Sequence, residues 1–127
     1  MLPRMTSQES ALSELRSGRR LEAERIVAEA AHEAEVLHGQ ASPQYAAAQF
    51  DLALVLVGVG DLSRAASALR RAVDVPTHDD AARKLRLTYL LNLGDVLQRQ
   101  GRLDEARAVR VIHQAAERLS QEIRLRS

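Results

Sequence analysis

The sequence predicts an all-α fold, and its composition and one internal repeat support this. Its 127 residues include 6 Gly and 3 Pro, and aromatic residues make up only 2%. The apolar residues are mainly Ala, Leu and Val, a composition with few helix breakers. A short segment with Gly and Ala recurs three times between stretches of helical periodicity. Together these features predict a stack of antiparallel helix pairs.

The repeated segment is the strongest pattern in the chain. It reads GRRLEA at 18–23, GDLSRA at 60–65 and GRLDEA at 101–106. The intervals between Gly18, Gly60 and Gly101 are therefore 42 and 41 residues. Glycine accepts the left-handed conformation that closes a helix. Each segment is predicted to form the tight turn inside one helix pair.

The breaks between pairs are also visible in the sequence. Gly39 is a predicted helix stop, Ser42 a predicted N-cap before Pro43, and Thr77 and Asp79 are candidate caps. The predicted helices are 6–17, 20–38, 43–58, 62–74, 79–99 and 103–124. The predicted repeats are 5–38, 43–75 and 79–124, within a single domain over 1–127.

Charge and residue usage exclude several classes of function. The net charge of +1 gives no basic excess for binding nucleic acid, and the few aromatics provide no platform for stacking bases. The absence of cysteine rules out disulfides and zinc–thiolate sites and fits a cytoplasmic location. No apolar run approaches 18 residues, so no membrane span is predicted. Arg outnumbers Lys 17 to 1, which suits a GC-rich bacterial genome.

The second helix pair carries a family resemblance. Its pattern consists of Leu52, Ala53, Leu56, Gly60, Asp61, Ala65, Leu69, Ala72 and Pro76. The third pair has Asn92-Leu93-Gly94 and Leu97, then Gly101 and Ala106. These residues resemble the tetratricopeptide repeat. The intervals of 41 and 42 exceed the usual period of about 34 residues by about two helical turns, and so resemble the longer kinesin-light-chain type.

The resemblance implies three antiparallel helix pairs stacked as a right-handed superhelix, or α-solenoid. The chain departs from the family pattern in having no Trp, and in having Arg110 and His113 where Phe and Ala are usual. Ser10 and Glu14 likewise replace Leu and Tyr. Polar residues suit terminal repeats, so both ends are expected to be caps of a complete three-unit stack.

The resemblance also implies a binding surface on the first helix of each pair. There the family binds a partner helix or peptide, on the concave side of the stack. The positions that match on the second and third pairs are Phe50, Leu54, Val57, Leu91, Asn92, Asp95 and Arg99. An alternative is that Phe50, Leu54 and Val57 only fill the interior. Asn92 and Arg99 are candidates to hold a backbone group or carboxylate, but Asp51 at the place equivalent to Asn92 argues against a carboxylate clamp.

Catalysis and metal binding are not favoured. The chain has no nucleophile elbow, phosphate-binding glycine loop or paired catalytic carboxylates, so neither an enzyme nor a cofactor is predicted. Glu29/His32 and Glu35/His38 have the Glu-x-x-His spacing of di-iron ligands. Both pairs lie on one predicted helix and out of phase, which does not favour a metal site.

The last predicted helix has a separate apolar pattern. Val109, Ile112, Ala116, Leu119 and Ile123 follow the 3-4 spacing of a coiled coil. Packing on the preceding helix is one explanation, and a homodimer contact through Leu119 and Ile123 is the other. The favoured function is thus a protein-binding scaffold or adaptor. The alternatives are a self-associating helical unit and a regulatory segment of a larger signalling protein.

Overall fold

The structure is a computed structural model and describes residues 5–126. All regular structure in this range is helical, and it contains no β-strand. The six helices are α1 (Ser7–Arg16), α2 (Arg20–His38), α3 (Pro43–Gly58), α4 (Leu62–Val73), α5 (Asp80–Arg99) and α6 (Leu103–Arg126). The predicted all-α class is confirmed, and the helix bounds agree with the predicted ones to within two residues.

Helices α3 and α5 begin at capping side chains, and α2 ends at a glycine, in the places that the sequence indicated. The Ser42 hydroxyl accepts a hydrogen bond from the Tyr45 N–H at 3.1 Å, with Pro43 in the first turn of α3. The Asp79 carboxylate accepts one from the Ala82 N–H at 2.7 Å and caps α5. Gly39 closes α2. Of the two candidate caps before α5, Asp79 is therefore the one used.

The three repeated turns have one backbone geometry. Gly18, Gly60 and Gly101 have φ of 81°, 86° and 76°. In each turn the glycine N–H donates to the carbonyl three residues earlier at 3.0 Å, and the next N–H donates to the carbonyl five residues before it at 2.9 Å. This pair of bonds is a Schellman motif, which satisfies the last carbonyls of the helix. The recurring glycine thus ends the first helix of every pair in the same way.

The alanine of the repeated segment is its second structural element. Ala23, Ala65 and Ala106 each have 0% exposure. The leucine of the segment behaves differently, because Leu21 is 83% exposed and Leu103 is 52% exposed. Glycine and alanine are therefore the shared structural residues of the repeat, and the leucine is not.

The helices pack in two layers of different tightness. Each helix packs against the next, and α1 with α3 and α3 with α5 also approach to within 8 Å between Cα atoms. No two of α2, α4 and α6 approach that closely within the described chain. Long side chains join them instead, with Arg64–Glu24 linking α4 to α2 and Arg70–Glu105 linking α4 to α6, both at 2.5 Å. The odd helices therefore form the closer layer.

The core is built mostly of small and aliphatic side chains. The main cluster contains buried Ala, Leu and Val residues from all six helices, with Leu56, Leu69, Leu90 and Leu97 among the largest. A smaller cluster surrounds Tyr45 and Tyr89. Phe50 contacts both clusters, and its ring lies 5.0 Å from that of Tyr89 between centroids. This aromatic pair ties α3 to α5.

We expect two glycine-to-alanine substitutions to have opposite effects on stability. Gly60→Ala places a Cβ in the left-handed region and should lower the free energy of unfolding by about 1–2 kcal/mol. Gly94→Ala lies inside α5, where the added Cβ would meet nothing closer than Val109 Cγ1 at 3.8 Å. It should raise stability by about 0.5–1 kcal/mol. Urea unfolding of both variants measures this, and equal destabilisation by the two would contradict the assigned turn.

Candidate functional site: the accessible face of the odd helices

One face of the odd helices stays accessible. The predicted positions on this face are all half-buried or exposed, whereas the opposite side of α3 is buried, including Leu52, Val55 and Leu56. We call this surface the open face. It consists of Ala47, Phe50, Asp51, Leu54, Val57 and Gly58 on α3 and of Thr88, Leu91, Asn92, Asp95, Gln98 and Arg99 on α5.

Helix α1 extends the open face beyond the predicted residues. Leu12 and Leu15 are half-buried and stand one repeat interval of 42 residues before Leu54 and Val57. The Leu15 side chain lies over Gly58, where an added Cβ would be 2.5 Å from Leu15 Cδ2. Gly58 therefore allows α1 to approach α3 closely. Applying the repeat interval to α1 would have identified both leucines from the sequence.

The apolar residues of the open face pack on the core and are also accessible to solvent. Phe50 and Val57 contact the buried core, yet neither is fully buried, and Leu54 is half-buried between them. Leu91 is 53% exposed on α5. Phe50 and Val57 therefore pack on the core with one side and leave the other side exposed to solvent. Leu12, Leu15, Phe50, Leu54 and Val57 thus form an apolar strip on α1 and α3. Leu91 instead lines a groove between α5 and α6, together with Asp95 and His113.

Asp51 is the most unusual polar group of the open face. It is half-buried and has no hydrogen-bond or ion-pair partner among residues 5–126. Burial raises the pKa of its carboxyl above the ordinary value. The pKa of the Tyr89 phenol is also raised, first by burial and then by the negative charge of Asp51. The open face thus presents the unpaired Asp51 carboxylate close to the Phe50 and Tyr89 rings.

The polar side chains of the open face on α5 have few partners within the described chain. The Asn92 Nδ2 donates to the Thr88 carbonyl at 2.8 Å, which leaves its Oδ1 as an acceptor. Asp95 and Arg99 are both exposed, and neither forms an ion pair within the described chain. The open face therefore presents hydrogen-bond acceptors at Asp51 and Asn92. The positive charge of Arg99 lies one helical turn after Asp95.

The apolar pattern of α6 divides into two rows. Val109 is buried, Ala116 and Ile123 are half-buried, and the buried Ser120 belongs to the same row facing α5. Ile112 and Leu119 are 46% and 55% exposed. The residues of the 3-4 spacing therefore differ in exposure, with Val109, Ala116 and Ile123 in the row that faces α5 and Ile112 and Leu119 in the exposed row.

Leu119 does not extend past α5. It lines a small cavity with Thr77, Arg83, Arg86, Ala116 and Ser120, so this part of α6 lies beside the first turns of α5. It is nevertheless 55% exposed. The self-association through Leu119 and Ile123 stays a prediction.

The two Glu-x-x-His pairs have other partners. Glu29 bonds Arg25 and Glu35 bonds Gln40, each at 2.8 Å. Within residues 5–126, no three His, Asp or Glu side chains are grouped in a way that could hold a metal ion. None of the helices in this range combines the length and apolarity needed to cross a membrane.

Comparisons with known proteins name no family for this chain. Neither the models of protein families nor the curated proteins contain a match to it.

Replacing Asp51 by Asn should stabilise the protein at neutral pH. Because the native pKa of Asp51 is raised above 3.8, the native state holds this proton more tightly than the unfolded state. Protonated Asp51 therefore stabilises the native state fully below the unfolded pKa. This stabilisation is lost as pH rises through the native pKa. Asp51→Asn should raise the free energy of unfolding at about pH 7, and the difference should vanish near pH 3.

Urea titrations at the two pH values measure this difference. Asp95→Asn, on the exposed part of the same face, is the matched control and should change stability by less than about 0.5 kcal/mol at neutral pH. A destabilised Asp51→Asn variant at neutral pH would mean that the carboxylate has a stabilising partner.

Proposed function

We propose that this protein is a non-enzymatic interaction module that binds a partner helix or extended peptide on its open face. The observation that carries the proposal is the accessible apolar strip on α1 and α3, beside which the Asp51 carboxylate has no partner among residues 5–126. A helix laid in an apolar groove is a common mode of peptide recognition.

The proposal includes a tetratricopeptide-like, right-handed solenoid. Three turns with the same hydrogen bonds recur at intervals of 41 and 42 residues, and each is followed by a fully buried alanine. The closer packing of the odd helices supports a curved stack whose inner side carries the open face. The extended period supports the kinesin-light-chain type of repeat.

The chemistry of the open face indicates the kind of ligand. Leu12, Leu15 and Leu54 provide apolar contacts along the strip, and the exposed Leu91 provides one on α5. The unpaired Asp51 carboxylate suits an N–H donor or cation, and Arg99 suits a carboxylate. We infer an amphipathic segment whose apolar side chains meet the strip and whose basic group reaches Asp51. The lack of cysteine fits action in the cytoplasm.

Glutamate at Leu91 or Leu54 should abolish partner capture. Leu91 is 53% exposed, so Leu91→Glu introduces a charge on the open face without disturbing the core. We expect retention of the partner from the native lysate to fall on the order of tenfold or more. Leu54→Glu should act in the same direction, with circular dichroism checking that the half-buried site still folds.

Leu21→Glu is the control for this experiment. Leu21 is an 83% exposed leucine on α2, away from the open face, and its replacement should leave capture unchanged. If Leu91→Glu retains the same proteins as the wild type, the open face is not the binding surface. If Leu21→Glu alone loses them, the partner binds α2.

A further inference from the structure

The outer side of α6 carries an exposed apolar stripe, whose last residue, Leu119, also borders the cavity beside α5. It consists of Ala108, Val111, Ile112, Ala115 and Leu119, all of which are exposed. Val111 is 62% exposed and Leu119 is 55% exposed. The spacing of three and four residues places them along one side of the helix. We call this surface the α6 stripe.

The other even helices lack such a stripe. At positions one repeat interval earlier, α4 has Ser67, Arg70, Arg71 and Asp74. One interval before those, α2 has Arg25, Glu29 and His32, with two exposed apolar residues, Ala28 and Val36. The same place in the fold is therefore polar on α4 and mixed on α2. The apolar side chains of α6 are not required by the scaffold.

We propose that two copies of the chain pair through the α6 stripe, with their α6 helices antiparallel about a two-fold axis at Ala115. Val111 and Leu119 are symmetric about this position, while Ala108 comes opposite Glu122 of the partner subunit and Ile112 opposite Arg118 of the partner subunit. Val111 and Leu119 each lie four residues from Ala115, so Val111 meets Leu119 of the partner subunit. Ala115 meets its own copy, and the small side chain allows the two helices to approach closely. Such a contact is isologous, as a two-fold dimer requires.

Charges at the two ends of the stripe select the antiparallel arrangement. Asp104 and Arg126 each lie eleven residues from Ala115, so Asp104 faces Arg126 of the partner subunit. Arg107 likewise comes near Glu122 of the partner subunit. A parallel pair in register would instead bring Asp104 to Asp104 and Arg126 to Arg126, which is repulsive. Antiparallel helices also place the acidic start of α6 against the basic end of the other copy.

The dimer contact is separate from the open face. It lies on an even helix, whereas the open face belongs to the odd helices. Dimerisation would therefore leave the proposed binding surface free and would present two copies of it. The two proposals fail independently, because each is tested by substitutions on its own surface.

Light scattering across a concentration series tests the dimer. We expect the wild type to pass from monomer to dimer as concentration rises. Ala115→Arg sets two guanidinium groups against each other at the axis and should raise the dimer dissociation constant about tenfold or more. Ala28→Arg, on the exposed outer side of α2, is the matched control and should leave it unchanged. A wild type that stays monomeric, or an Ala115→Arg variant that dimerises normally, overturns the proposal.

Cysteine cross-linking tests the orientation. The chain has no cysteine, so Val111→Cys and Leu119→Cys each introduce a single thiol. After mixing differently tagged copies of the two variants and oxidising, an antiparallel pair forms disulfides between position 111 and position 119. Disulfides that join position 111 to position 111 indicate a parallel pair and overturn the proposed arrangement.

Discussion

The close contact between the two helices of each pair is the constraint on which the rest of the structure depends. A Schellman turn at a left-handed glycine brings the second helix back against the first, and an alanine five residues later packs there with no exposed surface. A larger side chain at Ala23, Ala65 or Ala106 would force the helices apart, because interiors are close-packed. Repetition of this contact at nearly equal intervals gives three similar pairs, and similar pairs can stack on one another.

The different spacing of the two layers follows from the side chains between the helices. On the odd side, Gly58 lets Leu15 lie directly on α3, and the Phe50 and Tyr89 rings join α3 to α5. On the even side, arginine–glutamate pairs span the gaps. The accessible face therefore lies on the layer where the backbones come closest. Its apolar strip and the unpaired Asp51 meet at the same place, which gives the proposed ligand both an apolar and a polar contact.

Local sequence rules were sufficient for the helices and their ends. Capping residues such as Ser42 and Asp79 act within one turn, so their effects are readable without knowledge of the fold. The family resemblance indicated the accessible positions on α3 and α5, because equivalent residues of a repeat occupy equivalent places. The repeat interval was not applied to α1, so Leu12 and Leu15 were missed. The coiled-coil spacing on α6 did not say which residues meet α5, since Val109 and Ile112 are neighbours on the helix surface and only Val109 is buried. The raised pKa of Asp51 follows from its burial in the fold and had no signal in the sequence.

The arginine–glutamate links of the outer layer have a mechanical consequence. Arg64, Arg70 and Glu105 have side chains 59%, 43% and 46% exposed, and Glu24 is 22% exposed. Dissolved ions therefore weaken these links, whereas the apolar contacts between the odd helices are not weakened in this way. We expect the angle between successive helix pairs to vary more widely as ionic strength rises, with the odd layer acting as the hinge. Small-angle scattering in a salt series measures this, and a radius of gyration and scattering profile independent of salt would show that the stack is rigid. The width available to a bound segment would then be set by the ionic conditions as well as by the side chains that line it.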